Sequence, residues 1–220
     1  MTSYLFCAYR DWAIKLHKQI LKKHKNLILL QDPKKLTLRN VKKINPKLIF
    51  FPDWSWIVPK TILENYKCVC FHESNLPKFR GGSPIQNQII KGKTATMTTA
   101  FFMNDKIDAG DILLKKPLSL EGTLDEIFER MIKNDYEMIL SIIKGDYKIQ
   151  KQKGRPTYYK RRTPKQSELS LNDSKKQIYN FIRMLSDPYP NAFIKFGQKK
   201  IIFKSAKFEK GKLSFEGEIE

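Results

Sequence analysis

The chain has 220 residues, of which 41% are hydrophobic and 12% aromatic. This composition allows one real core with a small appended subdomain and excludes wholesale disorder. The apolar runs are far too short to span a bilayer, and the N-terminus lacks the basic region of a signal peptide, which predicts a soluble cytoplasmic protein without a membrane partner. Three cysteines, Cys7, Cys68 and Cys70, are too few and too uneven for a disulfide framework.

The formal net charge is +20. A basic excess of this size is typical of proteins that bind RNA, an acidic membrane or a phosphorylated small molecule. Scattered lysines in a chain also rich in isoleucine and asparagine are typical of compositional drift, which we weigh slightly higher. The exception is a dense basic cluster that includes Lys151, Lys153, Arg155 and the run from Lys160 to Arg162.

The first seventy or so residues alternate short apolar runs with helical patterns. Strands are predicted at 4–8, 27–30, 48–51 and 67–71. Helices are predicted at 11–23 and in a short segment opened by Pro59, since proline suits a first helical turn. This alternation predicts an α/β fold, a Rossmann-like and mostly parallel sheet with helices on both faces.

The second half begins with a glycine-containing loop at 73–82. Helices are predicted at 83–90, 123–143 and 173–185, the last capped by Asp173 or Ser174. Strands are predicted at 98–103, 112–115, 192–196 and 200–203, with one more in the tail 208–220. We therefore expect a catalytic domain at 1–153, a basic linker at 154–168 and a small C-terminal α+β module at 169–220.

Two polar residues lie where such a sheet would bind a ligand. His72 follows the fourth strand, and Asp108 lies in an acidic loop between the two later strands. Ligands of open parallel sheets bind beyond the carboxyl ends of the strands, where strand order reverses. A histidine and a carboxylate there can handle a proton, and the carboxylate favours the protonated imidazole. On residue types alone, a structural histidine and a turn-forming aspartate remain the commoner interpretation.

The fourth strand also allows a metal site. Cys68, Cys70 and His72 alternate, so their side chains share one face of the strand and could ligate zinc. Alternating residues on a buried strand are usually core, so no metal is expected. The remaining soft ligands of the chain are Cys7, His17 and His24.

Two motifs resemble the formyltransferases that use N10-formyltetrahydrofolate. FHESNLPKFRGGSPIQNQIIKGK at 71–93 is similar to the first signature of the family: histidine, any residue, serine, any residue, leucine-proline, an aromatic between basic residues, glycine and proline-isoleucine-glutamine. IDAGDILL at 107–114 is similar to the second, which carries a catalytic aspartate. The two catalytic residues lie 36 positions apart in the family, and here 108 − 72 = 36.

The resemblance implies direct transfer of a formyl group from N10-formyltetrahydrofolate, the cosubstrate, to an amine. His72 would stabilise the tetrahedral oxyanion or relay the proton of the amine, and Asp108 would orient His72. Two loops match family segments that line the pterin pocket. They contribute Trp54, Ser55, Trp56 and Ile57, and Asp105, Ile107 and Asp108.

One position departs from the family. Cys70 stands where the family has an asparagine whose amide helps to bind the oxyanion, and a thiol is a poorer donor. Either Asn75 or Asn104 substitutes for that amide, or turnover is slow, or activity has been lost. A branch of sugar formyltransferases that also lacks this asparagine favours substitution.

The expected acceptor is a nucleotide-linked amino sugar. Family members that formylate initiator tRNA are typically longer, and the runs 158–169 and 182–196 resemble sugar enzymes of the pseudaminic-acid type. The resemblance thus implies formylation of a UDP-linked 4-amino-4,6-dideoxy sugar for bacterial surface glycans, with a homodimer left open and no nucleic acid expected. Residues expected to bind this substrate are Arg80, Gly81, Gly82, Ser83, Gln86, Arg161 and Arg162. The alternatives are a methionyl-tRNA formyltransferase-like enzyme and a catalytically impaired, basic RNA-binding relic of the fold.

Overall fold

The computed structural model describes residues 2–220. The first half contains β1 (Tyr4–Ala8), α1 (Asp11–Leu21), β2 (Leu27–Leu30), α2 (Leu38–Ile44), β3 (Leu48–Asp53), α3 (Lys60–Asn65), β4 (Cys68–His72), β5 (Arg80–Gly81), α4 (Pro84–Ile89) and β6 (Ala95–Phe102). The second half contains β7 (Ile112–Ser119), α5 (Leu124–Lys144), β8 (Tyr158–Tyr159), α6 (Lys175–Arg183), β9 (Ala192–Phe196), β10 (Lys199–Glu209) and β11 (Lys212–Ile219).

The central sheet has the strand order β2-β1-β3-β4-β6-β7. Strands β2, β1, β3 and β4 are parallel to one another. At one edge of the sheet, β6 runs antiparallel to β4, and β7 runs antiparallel to β6. The α/β fold with a mostly parallel sheet is therefore confirmed. The chain leaves β1 toward β2 on one side and returns to β3 on the other, so strand order reverses between β1 and β3. The carboxyl ends of these two strands bound the site described below.

Both faces of the sheet are covered, which explains why its strands are apolar almost throughout. Neighbouring residues alternate between two cores: Phe6 and Phe50 pack against α1 and α5, while Leu5 and Ile49 pack against α2 and α3. Helix α2 was not predicted from the sequence because Val41 is its one buried residue. Its start depends instead on a capping hydrogen bond to the Thr37 hydroxyl.

Helix α5 agrees closely with its predicted range. The Thr123 hydroxyl accepts from the Glu126 amide and the Glu126 carboxylate accepts from the Thr123 amide, which forms a capping box. Gly145, in the left-handed region with φ 84°, ends the helix. The face toward the sheet is apolar with one exception, Asp135, which is fully buried.

The C-terminal module is a three-stranded antiparallel sheet, β9-β10-β11, packed against α6. Helix α6 is capped by Ser174 rather than Asp173. The predicted strand at 200–203 was too short: β10 and β11 form a long hairpin whose turn places Lys210 and Gly211 at positive φ, as a two-residue turn requires. Ile182 and Phe203 belong to the same core cluster as α5, so the module shares the main hydrophobic core.

The segment 154–168, predicted as a linker, pairs with the loop that follows β4. Strand β8 lies parallel to β5, with Arg80 opposite Tyr158 and Gly81 opposite Tyr159. This pairing fastens the glycine-containing loop across the end of the central sheet. The division into domains at 153 and 169 stays a prediction.

Within residues 2–220, no helix has the length and apolar character needed to cross a membrane.

Arg183 joins α6 to the segment before α5. Its buried guanidinium donates to the carbonyls of Leu120 and Gly122 at 2.7 and 2.9 Å. We expect Arg183→Met to lower the free energy of unfolding by about 3 kcal/mol, because both carbonyls lose a charged partner in the interior. Urea unfolding followed by circular dichroism measures this change.

Arg130→Met is the matched control for Arg183→Met. Arg130 donates to carbonyls of the same segment, those of Ser119 and Glu121, but it is only half-buried. Its loss should cost less than about 1 kcal/mol, because water replaces the lost hydrogen bonds. Equal losses in the two variants would contradict the role assigned to Arg183.

Candidate active site

A cavity of about 350 Å³ opens at the carboxyl ends of β1, β3 and β4. We call it the central cavity. Arg10 follows β1, and Asp53 and His72 are the last residues of β3 and β4. All three line the cavity, as the strand order predicts for an open parallel sheet.

His72 is held in one orientation by backbone. Its Nε2 lies 2.7 Å from the carbonyl oxygen of Phe79. A carbonyl only accepts, so Nε2 carries the hydrogen and Nδ1 faces Asp108, whose Oδ2 lies 3.8 Å away. The structure therefore brings the two predicted catalytic residues together across the cavity, with one nitrogen of His72 left for chemistry.

Three hydrogen bonds fix the loop that carries Asp108. Its Oδ2 accepts a hydrogen bond of 2.7 Å from the Gly81 amide. The side-chain amide of Gln152 donates to the carbonyls of Asp108 and Gly110 at 2.8 and 2.9 Å. A Cβ at Gly110 would overlap the carbonyl oxygen of Phe102, so only glycine fits at this point of the loop. Gln152 was missed by the sequence analysis because it lies outside both motifs.

Arg80 does not line the central cavity. Its buried guanidinium donates to Gln152 Oε1 at 2.7 Å and to the Tyr158 hydroxyl at 2.8 Å. The prediction that Arg80 binds substrate is therefore not supported. Arg80 instead holds Gln152, and through Gln152 it supports the Asp108 loop.

The other residues predicted to bind substrate do meet at the cavity. A Cβ at Gly81 would overlap the Tyr159 carbonyl and one at Gly82 would overlap the backbone of Arg161, so these glycines let β8 and the basic segment approach. The Ser83 hydroxyl accepts from the Arg162 amide at 3.1 Å. Residues of this predicted set that line the cavity are Gly81, Gly82, Ser83, Gln86, Arg161 and Arg162.

The predicted pterin loop divides into two parts. Trp54 and Ser55 line the cavity, and the Ser55 hydroxyl accepts from Arg161 Nη2 at 2.5 Å. Trp56 packs edge-on against Trp54 outside the cavity lining, and Ile57 is 96% exposed.

In the second predicted loop, only Asp108 lines the cavity. Asp105 is exposed, and Ile107 is 66% exposed. Both lie in the same loop as Asp108 but outside the cavity lining. Their predicted role in holding the cosubstrate finds no contact to support it.

Cys70 lines the cavity but offers a weak donor. Its Sγ lies 3.7 Å from the Phe71 carbonyl, and burial raises the pKa of the thiol well above its ordinary value, so it stays neutral. The Asn75 side chain accepts from Lys115 Nζ at 2.6 Å, and Asn104 accepts from the Lys106 amide at 3.0 Å. Neither asparagine lines the cavity, so the prediction that one of them replaces the missing amide is not supported.

Other donors belong to residues that line the cavity. Within residues 2–220, the buried atoms Trp54 Nε1, Gln86 Nε2 and Arg162 Nε have no hydrogen-bond partner. All three residues line the central cavity. Buried donors are normally satisfied, so these atoms are the natural partners of carbonyl or anionic groups of a ligand.

Arg10 and Asp53 form an ion pair that the sequence analysis missed. Arg10 Nη1 lies 2.5 Å from Asp53 Oδ1, and the Arg10 amide donates to Oδ2 at 3.0 Å. Burial raises the pKa of Asp53, although the Arg10 charge opposes that shift. Their positions after β1 and at the end of β3, beside the reversal of strand order, were the available signal.

Among residues 2–220 there is no group of three or more His, Cys, Asp or Glu side chains that could hold a metal ion. Cys68 packs with Cys7 in the core between the sheet and helices α2 and α3. The alternating side chains of β4 thus divide between core and cavity.

Two family models match this chain. The family model described as formyl transferase matches residues 16–143, and the model described as methionyl-tRNA formyltransferase, C-terminal domain, matches residues 164–220. The methionyl-tRNA formyltransferase of Clostridium acetobutylicum is 31% identical over 197 residues, which are 83% of this chain and 63% of that protein. The chain thus spans less than two thirds of the length of this curated relative.

Two solved structures bear on the acceptor. The structure named methionyl-tRNA formyltransferase from Clostridium thermocellum has a TM-score of 0.95 and 40% identity, and the match covers 100% of this chain and 99% of that one. A sugar N-formyltransferase from a Shewanella species has a TM-score of 0.75 but 18% identity over 96% of this chain and 100% of that one, which supports the fold alone.

These comparisons contradict the expected action on a nucleotide-linked amino sugar. That expectation depended on the short C-terminal module, yet a chain of matching extent carries the name of a methionyl-tRNA formyltransferase. The module itself matches the C-terminal domain of such enzymes. With a model matched over residues 16–143, the chain belongs to the formyl transferase family.

Proposed function

We propose that this protein transfers a formyl group from N10-formyltetrahydrofolate to the amine of methionyl-tRNA. The observation that carries the proposal is the match of the whole chain, C-terminal module included, to a methionyl-tRNA formyltransferase structure at 40% identity. The sugar enzymes match the same fold at about half that identity.

The geometry of the central cavity supports formyl transfer. His72 Nε2 is fixed on the Phe79 carbonyl, and its Nδ1 is directed to the side on which Asp108 lies. An imidazole held in this way can stabilise the oxyanion that forms when an amine attacks a formyl carbon. Asp108, anchored on the Gly81 amide, places its carboxylate on the Nδ1 side of that imidazole, where it helps to orient the ring.

The cavity also has features that suit the cosubstrate. The unpartnered donors Trp54 Nε1, Gln86 Nε2 and Arg162 Nε line it, and a pterin or a formyl group presents the carbonyl oxygens that such donors need. Bound N10-formyltetrahydrofolate would supply the activated formyl carbon. The protein would orient that carbon, exclude water and manage the protons.

The charge of the protein suits a polyanionic acceptor. The net charge is +20, and the basic cluster ends at Arg161 and Arg162, which line the cavity. Arg161 is exposed there, with one nitrogen on the Ser55 hydroxyl. Phosphodiester groups of a tRNA acceptor arm would find a basic surface at the entrance to the site, and binding should weaken as salt rises.

His72→Ala should lower kcat about a thousandfold with methionyl-tRNA as acceptor, because the group that stabilises the oxyanion is lost. The measurement follows tetrahydrofolate release and the mass gain of one formyl group. A UDP-linked amino sugar is assayed in parallel. Formylation of the sugar but not of methionyl-tRNA would overturn the proposed acceptor.

His17→Ala is the matched control for His72→Ala. His17 is also buried and also bonds a carbonyl through Nε2, that of Leu27 at 3.0 Å, but it lies on α1 beside Phe6 and outside the cavity lining. We expect His17→Ala to lower stability while each folded molecule keeps its kcat. A similar loss of kcat in both variants would mean that His72 acts through folding alone.

Cys70→Asn should raise kcat by a factor of about ten to a hundred, because an amide replaces a weak thiol donor at the cavity. Cys70→Ser is the control, since a hydroxyl of similar size lacks the reach of an amide. Steady-state kinetics with methionyl-tRNA measure both variants. A lower kcat for Cys70→Asn would indicate that other cavity donors have taken over and that the asparagine displaces them.

A further inference from the structure

Glu73 lies in the central cavity beside the predicted catalytic histidine. It follows His72 directly in the chain, it lines the same cavity, and it is 9% exposed. The first family signature allows any residue at this position, so the motif assigns Glu73 no role. Unlike Asp53, which is paired with Arg10, the Glu73 carboxyl group has no ion-pair partner among residues 2–220.

A second carboxyl group lies behind Glu73. Asp135 projects from α5 and is 0% exposed. Within residues 2–220, neither of its side-chain oxygens has a hydrogen-bond partner. A charged carboxylate is not tolerated in such a place, and burial together with the nearby charge of Glu73 raises the pKa of Asp135 well above its ordinary value. Burial therefore favours the neutral acid form of Asp135.

Glu73 has surroundings that let its carboxyl group exchange a proton near neutrality. Burial raises the pKa of Glu73 from 4.5 to about 7, and the nearby His72 opposes that rise. Burial also raises the pKa of the Cys70 thiol and of the Tyr189 hydroxyl, so both stay neutral. The titratable groups that face Glu73 are Cys70 and His72 on β4, Asp53 on β3, Asp108 in its loop, Asp135 on α5 and Tyr189 near the C-terminal module.

We propose that Glu73 is a further catalytic residue, whose carboxylate accepts the proton that the attacking amine loses; this inference rests on the proposed function. The amine nitrogen bonds to the formyl carbon, and the bond from that carbon to the donor nitrogen breaks. The proton passes from the amine to Glu73 and then to the departing donor nitrogen. Nothing is oxidised or reduced, and His72 remains on the developing oxyanion throughout.

Placement on the wall of the cavity gives Glu73 access to an acceptor amine that His72 lacks. His72 has one nitrogen engaged with Phe79 and the other directed toward Asp108. When Nδ1 is taken up by the oxyanion, no nitrogen of the ring is left to take the proton of the amine. A carboxylate with a pKa near the working pH is suited to that task.

Glu73→Gln tests the proposal with methionyl-tRNA as acceptor. We expect kcat to fall at least a hundredfold while KM changes by less than about threefold, because the amide keeps the shape of the side chain but cannot take a proton. In the wild type, kcat/KM should rise with pH through about 7 as Glu73 ionises. That rise should be missing in Glu73→Gln and should return in part in Glu73→Asp.

Asp135→Asn is the matched comparison for Glu73→Gln. An amide copies the neutral acid that we assign to Asp135, so this variant should retain the pH-dependent rise of kcat/KM. Loss of the rise in Asp135→Asn but not in Glu73→Gln would move the proton acceptor to α5 and overturn the proposal. Unchanged kcat and an unchanged pH profile in Glu73→Gln would overturn it as well.

A second readout does not depend on activity. Because the pKa of Glu73 is higher in the folded state, the unfolded chain loses this proton first, and the unfolding free energy of the wild type should fall as the pH rises from 4.5 to about 7. Glu73→Gln should lack this part of the fall. Urea midpoints of the two proteins across this pH range measure the difference.

The two readouts separate failure of this inference from failure of the proposed function. If the wild type does not formylate methionyl-tRNA, the proposed function is wrong, and the urea midpoints alone decide the state of Glu73. A difference between wild type and Glu73→Gln that grows up to pH 7 supports a titrating carboxyl in the cavity. Parallel midpoints at every pH would show that Glu73 does not titrate near neutrality and would overturn the inference.

Discussion

The hydrogen bond from the Gly81 amide to the Asp108 carboxylate joins the two motif loops, and the geometry of the site depends on it. Gly81 can donate because β5 is held parallel to β8, and that pairing needs a residue without a side chain opposite Tyr159. Gln152 fixes the other side of the Asp108 loop and is itself held by Arg80. The place of His72 in the site therefore depends on the pairing of β8, in the basic segment, with β5.

The site concentrates charged groups where water is scarce, and each has a physical reason to be tolerated. Arg10 pairs with Asp53, and Asp108 has the Gly81 amide and the ring of His72 nearby. Asp135 has no such partner among the described residues, and its burial favours the uncharged form. Charged groups buried in this way are typical of catalytic sites. They are weak evidence for a contribution to folding stability.

The expected acceptor was wrong for a reason that the fold makes clear. The short C-terminal segment was weighed against the tRNA branch, which was kept as an alternative, but 164–220 folds as a module that matches the C-terminal domain of methionyl-tRNA formyltransferases. The module shares its core with α5 through Ile182 and Phe203, so its small size does not make it a detached appendage. The net charge of +20, for which drift was weighed slightly above a partner, suits the polyanionic acceptor that we propose.

The sequence by itself determined the layered α/β fold and the pairing of His72 with Asp108. Apolar periodicity is local, and the spacing of the two motifs is a property of the chain. Only the tertiary structure decided which polar side chains face the cavity. Asn75 and Arg80 lie in the first motif, but their side chains bond Lys115 and Gln152 outside the cavity lining. Arg10 lies outside both motifs and Glu73 occupies a motif position open to any residue, yet both line the cavity. The burial that raises the pKa of Asp135 comes from helix α5 packing on the sheet, a contact between distant segments that no local pattern encodes.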